Sequence, residues 1–434
     1  MIANVTNTGV GIGVLNGLTT GQSNAALGYN TLLNVTSGNS NTGVGRGALQ
    51  FMTSAINNTA LGSGALSNNV TGLSSTAVGS LVLRDNVASG NTAVGTAVLR
   101  ENTTGIENTA VGLGALQWNE TGDSNTALGY AALLNSTADQ NTAVGSHALT
   151  SNLGGALNAA LGLSAMHSNE TGSANVALGH FALRNSVSED ANVAVGFSAL
   201  RDGAGSGNTA VGYHALAFNG AGDFNTAVGF GALRPSTGTQ NIAVGYLAGS
   251  FLSSGNDNVY IGNRGASTEN ATIRIGSNQT QAFICGVRGV TTGAANAINV
   301  MIDSNGQLGT VSSSRPFKED IRDMGDATAA LIQLRPVSFR YRDAFDGAVK
   351  PIEYGLIAEE VADVYPDLVV HSPDGQIETV QYHKVNAMLL NEVQQQHQRL
   401  GEQDEQIAWQ AAQIEAQQRQ IERLLERLVA LEEK

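Results

Sequence analysis

The residues with the clearest potential for chemistry lie in the stretch "LGTVSSSRPFKEDI", Leu308 to Ile321. Three serines, Ser312, Ser313 and Ser314, precede Lys318, the first lysine of the chain. A serine hydroxyl is a weak nucleophile at neutral pH and is activated when a neighbouring base takes its proton. An amine does so only in its neutral form, which burial favours. A pair such as Ser313 and Lys318 therefore needs a pocket that a folded assembly can supply and a nascent chain cannot. Any cleavage would be conditional on folding. The five-residue spacing is weak evidence by itself, and the run of serines leaves the nucleophile's register open by one.

Other chemistries find less support. The formal net charge of −14 argues against nucleic acid, because phosphate binding needs a basic surface. There is no G-x-x-x-x-G-K-[ST] phosphate loop. Cys285 is the only cysteine, so neither an intrachain disulfide nor a cysteine-based metal site can form, and a small buried apolar residue is expected there. No cofactor and no metal are expected. The amino-terminal stretch "MIANVTNTGVGIGVLNGL" lacks the basic and apolar regions of a secretory signal. No run approaches the ~18 apolar residues of a membrane span, so membrane insertion is not expected.

What positions the serines and the lysine is an unusual chain. Of its 434 residues, 53 are glycine and 13% are charged. That mix is poor in large apolar groups for an ordinary core and poor in charge for disorder. Repetition resolves the conflict. A unit N-T-A-V-G-x-x-A-L plus a loop recurs 16 times, from Asn7 to Asn258, every 16 or 17 residues. Serine replaces the leading asparagine once, at Ser75. The fifth position is always glycine, the fourth always Val, Leu or Ile. The ninth is large and apolar until Gly249 and Ala266.

Such a unit is too short for a helix pair. T-A-V has strand character, the glycine marks a corner, and x-x-A-L reads as a second short strand. One turn per repeat gives a parallel β-coil whose fourth and ninth positions point inward. The alanines at positions three and eight would admit another wall closely, and stacked asparagines would form ladders. At about 4.8 Å per rung, 16 turns span on the order of 77 Å. So thin a rod calls for association, and three copies around an axis would bury its small-residue faces. Aromatic residues recur at the sixth position, including Phe197, Tyr213, Phe230 and Tyr246. They read either as a glycan-binding stripe or as an edge between neighbouring chains.

After Asn263 an irregular β neck is expected, with strand-like runs "ATIRIG", "TQAFICGV" and "AINVMID" and the turn "DSNGQLG". A small α+β unit follows. "DATAALIQLRP" has helical spacing, "VSFRYR" alternates as a strand, and "YGLIAEEVADVYP" reads as an amphipathic helix ending at Pro366. "DLVVHSPDGQIETVQY" reads as a hairpin around Pro373-Asp374-Gly375. From about Met388 a strict seven-residue period carries Val393, Leu400, Ile407, Ile414, Ile421 and Leu428. Glutamines 396, 403, 410 and 417 share the seam with Leu424 and Leu431. This predicts a left-handed coiled coil, and three strands would match a three-fold rod.

Two resemblances follow from these residues. The repeats of residues 7–262 are similar to the head repeats of trimeric autotransporter adhesins, which form left-handed parallel β-rolls, and to repeats of phage-type tail fibres. The segments "SSRPFKEDI", "LIQLRPVSFRYR", "YGLIAEEVADVYPDLV" and "VQYHKVNAMLLNEVQ", within residues 310–395, resemble the intramolecular chaperone auto-processing domain. That domain ends phage tail spikes, endosialidases and tail fibres, and occurs in a membrane-bound transcription factor family. The resemblance implies a domain that trimerises, assists folding of the β-structure upstream and then cuts itself off. It matches the family's serine to Ser313 and its lysine to Lys318, with Ser312–Ser313 as the scissile bond. Where the family often has a second basic residue, after the arginine matched by Arg315, this chain has Pro316.

The expected fold is thus mainly β. It comprises 1–262 as β-roll repeats, 263–311 as neck, 312–387 as chaperone domain and 388–434 as trimeric coiled coil. The expected function is a homotrimeric fibre of phage or prophage origin, assembled in the bacterial cytoplasm, that matures by single-turnover autoproteolysis and contacts a host-surface glycan or protein. A bacterial surface adhesin with an uncleaved trimerisation domain is the alternative; the lack of a signal and an anchor favours the fibre. A glycan-cleaving spike would need paired carboxylates in a cleft, whereas acids such as Glu120, Glu170 and Asp223 lie in loops.

Overall fold

The protein is described by a computed structural model over residues 6–287, 292–293, 296–342, 350–372 and 374–432. Two compact units form, Met1–Phe283 and Ile284–Lys434. The first is a parallel β-solenoid in which each repeat contributes one short strand, such as Thr109–Val111 or Thr126–Leu128. The strands pair in register, Thr109 with Thr126, Ala110 with Ala127 and Val111 with Leu128. The sheet has 17 strands, because Ile273–Ile275, in the neck, adds to the sixteenth repeat. The regular sheet therefore outlasts the repeat pattern.

Two expectations about the rung are corrected. The third position, not the fourth, points inward: Ala110, Ala127 and Ala143 are buried, whereas Leu128 and Leu161 are nearly half exposed. The interior is narrow, and position three faces positions eight and nine across it. At Gly9 an added Cβ would meet Val14 and Leu15; at Gly43 it would meet Thr31 and Leu32. At most rungs alanine fills this space, as at Ala60 and Ala77, so the larger residue of the alternating strand faces out.

The x-x-A-L segment is not a strand. Its seventh and ninth positions are left-handed, as at Ala131 (φ 54°) and Leu133 (φ 50°). The chain curls, and both Ala132 and Leu133 end up buried. Left-handed leucine is costly, roughly 1–2 kcal/mol per residue. Rung-to-rung hydrogen bonds hold it in place, as from Leu116 N–H to the Ala132 carbonyl at 3.0 Å and from Trp118 N–H to Leu134 at 3.0 Å. The invariant glycine makes the corner between strand and curl. Gly112 has φ +129°, and a Cβ there would lie 2.4 Å from the Gly129 carbonyl oxygen.

The leading asparagines form a ladder, through the backbone as well as the side chains. Asn108 is buried. Its Oδ1 accepts the Asn125 backbone N–H at 2.9 Å, and its Nδ2 donates to the Gly122 carbonyl at 2.8 Å. Asn108→Ala would orphan the Asn125 amide, at a cost of about 1–3 kcal/mol. Gly122 would keep its bond from Asn119. Serine is a natural half-measure: Ser75 Oγ still accepts from Asn91 N–H, at 3.3 Å. Asn108→Ala is therefore expected to lower the thermal midpoint more than Asn108→Ser. Equal losses would show that the acceptor is not what matters.

The core closes at the sixteenth repeat by exchange of volumes. Tyr260 takes the third position and is fully buried. Gly249 stands where a leucine is usual, and a Cβ there would come within 2.7 Å of Leu233 and 2.9 Å of Tyr260. On the outer edge, Phe197, Tyr213, Phe230 and Tyr246 stack in sequence with ring centroids 5.3, 5.1 and 5.6 Å apart. Their faces meet each other and their edges meet solvent.

The second unit has a small core of Leu331, Val361, Leu368, Val369, Val380 and Val385. The stretch expected as a helix forms 3-10 turns, Gly325–Gln333. Strands Val337–Phe339 and Glu353–Gly355 pair antiparallel. Helix α1 (Ala358–Val364) buries Val361. The hairpin pairs Val369–His371 with Ile377–Val380; Pro373, placed at its turn, lies outside the described residues. Helix α2 (Tyr382–Glu432) seats its first turns on this core through Val385 and Met388.

In the neck, residues 280–287 form no strand, and among the described residues Met301–Ile302 pairs only with Leu308–Gly309. Asp303 Oδ1 closes that turn by accepting from Asn305 and Gln307 N–H, both at 2.9 Å. Cys285, expected to be buried, is exposed. It falls beyond Ile273–Ile275, the last strand of the parallel sheet.

Candidate functional site

The stretch around Lys318 is shaped by a single 3-10 turn, Arg315–Phe317. Ser314 precedes it in an extended conformation, and Phe317 N–H bonds the Ser314 carbonyl at 3.1 Å. Lys318 N–H bonds the Arg315 carbonyl at 3.1 Å, and Lys318 itself is extended again. Pro316 sits in the first turn, where an N–H would have no partner and a fixed φ is favourable. Pro316 is therefore accommodated by the turn.

Reversing the chain over these residues brings its ends together. Lys318 Nζ donates to Ser313 Oγ at 3.1 Å. Ser312 Oγ instead accepts the Ser314 N–H, at 3.3 Å. Of the three serines, Ser313 is the one whose hydroxyl meets the amine. In this direction the lysine is the donor, and proton abstraction requires the reverse. Residues 312–318 are exposed in the single chain, as are the apolar Phe317 (77%) and Ile321 (56%).

Sequence reasoning missed the polar contacts that seat this unit on α2. Asn391 Nδ2 donates to the buried Thr328 hydroxyl at 2.7 Å and to the Gly325 carbonyl at 2.9 Å. Tyr382 OH accepts the Leu356 N–H at 2.9 Å. Nothing in the spacing of single polar residues marks such pairs. Beyond this seat the heptad positions of α2 are bare: Val393, Leu400, Ile407 and Ile414 are each more than half exposed. Among the described residues no group of three His, Cys, Asp or Glu side chains is placed to hold a metal ion. No described helix is long and apolar enough to cross a membrane.

The described residues thus form a parallel β-solenoid followed along the chain by a small α+β unit. Residues 313–370 match the model of the Peptidase_S74 family, the chaperone of endosialidase. Peptidase_S74 is a self-cleaving intramolecular chaperone family. The matched segment begins at Ser313 and ends within the first hairpin strand. Comparison with curated proteins finds no match, and neither does comparison with solved structures.

Proposed function

We propose that the chain is the subunit of a homotrimeric fibre of phage or prophage origin, built in the bacterial cytoplasm and contacting a host surface. Its carboxyl-terminal domain aligns three copies, assists their folding and releases itself at Ser312–Ser313. The observation that carries this reading is the 3.1 Å contact between Lys318 Nζ and Ser313 Oγ at the first residue of the family match.

The step is an acyl shift followed by hydrolysis. The neutral Lys318 amine takes the Ser313 hydroxyl proton, and Oγ attacks the Ser312 carbonyl carbon. The Ser312–Ser313 C–N bond breaks as the amine returns the proton to the leaving nitrogen. Water then cleaves the ester, leaving a Ser312 carboxylate and a free Ser313 amino terminus. Burial of the site between subunits supplies the neutral amine, and the exposed Phe317 and Ile321 are apolar groups suited to cover it. Exposed heptad residues on α2 support the three-stranded clasp, since such a seam is stable only when partnered.

The test is an intact mass of the purified protein together with its native mass. The expected products are a fragment beginning at Ser313 and one ending at Ser312, from an assembly of three chains. An uncleaved trimer would favour the surface adhesin with a permanent trimerisation domain. A monomer would remove both readings.

A further inference from the structure

The second unit carries a groove of about 520 Å³, lined chiefly by apolar side chains. Leu331, Leu334 and Leu356 line it from the small core, and Tyr382, Asn386 and Leu389 from the first turns of α2. The Tyr382 hydroxyl, which accepts the Leu356 N–H at 2.9 Å, ties the two sets together. Tyr382 and Leu389 are about half exposed, so the groove is open to solvent along α2.

The α2 residues fix which way the groove opens. Asn386 stands seven residues before Val393, and Leu389 seven before Gln396, with Tyr382 one interval earlier again. These residues continue both heptad rows on one face of an unbroken helix, Tyr382–Glu432. In a three-stranded coil that face meets the neighbouring subunits, and the groove opens toward them.

A matching projection lies upstream in the same unit. Residues 311–327 are all exposed, and none of them lines the groove. Phe317 ends the 3-10 turn and is followed directly by Lys318, whose amine meets Ser313 Oγ at 3.1 Å. Whatever buries the Phe317 ring draws that amine out of water with it. Glu319 and Asp320 come next. Among the described residues the groove's lining includes His383 and no acid. The ring suits the apolar lining, and the two acids suit its charge.

We propose that Phe317 of one chain docks in this groove of a neighbouring chain, and that docking makes the Ser313–Lys318 pair reactive. The groove of another copy is the receptor because a chain able to bury its own Phe317 would not wait for assembly, and in the single chain that ring is exposed. Apolar surroundings favour the neutral amine, and a lining without carboxylates does not hold it protonated. The groove supplies no reacting atom; Phe317 and His383 are positioning residues. Each chain gives one ring and receives one, a head-to-tail contact that closes into a ring of three.

The inference rests on the trimer of the proposed function and is tested on the purified full chain by the rate of cleavage and the native mass. Phe317→Ala is expected to stay trimeric and to cut more slowly, on the order of tenfold to a hundredfold, as loss of one buried phenyl ring does. His383→Glu alters an exposed residue outside the two heptad rows. It too should trimerise and cut slowly at neutral pH, because the added carboxylate repels Glu319 and Asp320 and favours the ammonium. Its rate should recover as the pH is raised. Co-expression then joins His383→Glu chains, whose serine and lysine are intact, with Ser313→Ala chains, whose groove is intact. In mixed trimers the His383→Glu chains should be cut faster than alone, since their Phe317 reaches an unaltered groove. Parental cutting in either single variant, loss of the trimer in Phe317→Ala, or no gain from mixing would each overturn the assignment. A parent chain that is monomeric or stays whole fails the fibre reading, and this inference with it; a parent that trimerises and cuts, beside variants that cut as fast, fails this inference alone.

Discussion

Ser313→Ala and Lys318→Ala are each expected to leave the chain whole while the assembly stays trimeric. The nucleophile and its base act as one unit, so loss of either removes nearly the whole rate. In serine peptidases the corresponding losses are on the order of 10⁶-fold, enough to convert complete cleavage into none on any practical timescale. Ser313→Ala deletes the oxygen that meets the amine at 3.1 Å. Lys318→Arg is the sharper control. It keeps the positive charge and the donor, but a guanidinium does not give up its proton in a protein. Lys318→Arg should be as inactive as Lys318→Ala. Ser312→Ala and Ser314→Ala should still cleave, because neither hydroxyl lies on the amine. Cleavage persisting in both Ser313→Ala and Lys318→Ala would assign the cut to a host protease.

How far the sequence exposed this arrangement depended on which residues repeat. The rung, the glycine corner and the asparagine ladder were readable because each occurs once per turn and a period needs no alignment. The direction of the strand was not. Alternation separates the Ala110 face from the Val111 face but does not say which is inside. The usual preference for burying the larger residue fails here because Leu15 and Leu32 already fill the space opposite position three. Left-handed leucines such as Leu116 (φ 50°) were equally hidden, since leucine carries no local signal for that conformation. They follow from stacking, a property of neighbouring rungs rather than of the unit. The site was legible in residue type and blurred in register. Spacing alone left Ser312, Ser313 and Ser314 as near equals; the resemblance favoured Ser313, and beside the 3-10 turn at Arg315–Phe317 it is the Ser313 hydroxyl that meets the Lys318 amine. Cys285 misled because its small size suits a core, whereas the chain around it has left the sheet.

Removal of residues 313–434 is expected to yield misassembled, heterogeneous rods rather than soluble trimer. The reason lies in the monotony of the repeat. Rung after rung pairs the same residue types in the same register, Thr59 with Thr76 and Ala60 with Ala77, then Thr76 with Thr92 and Ala77 with Ala93. A neighbouring chain displaced by one whole repeat would meet nearly the same surface, so the local penalty for a slip is small. Outward residues such as Leu128 and Leu161 would still be covered after the slip, and only the unmatched ends would report the error. On the proposed reading, register is imposed from outside the repeats, by pairing of exposed heptad residues of α2 such as Leu400 and Ile407. Sedimentation of the truncated chain should show a broad distribution, while Ser313→Ala, uncut but guided, gives a single trimer. After cleavage the guide is gone, so the matured rod should persist under conditions from which it does not refold, held by its unfolding barrier rather than by reversible equilibrium. A truncated chain that assembles into one homogeneous trimer would show that the repeats carry their own register and that the carboxyl-terminal domain is not a chaperone for them.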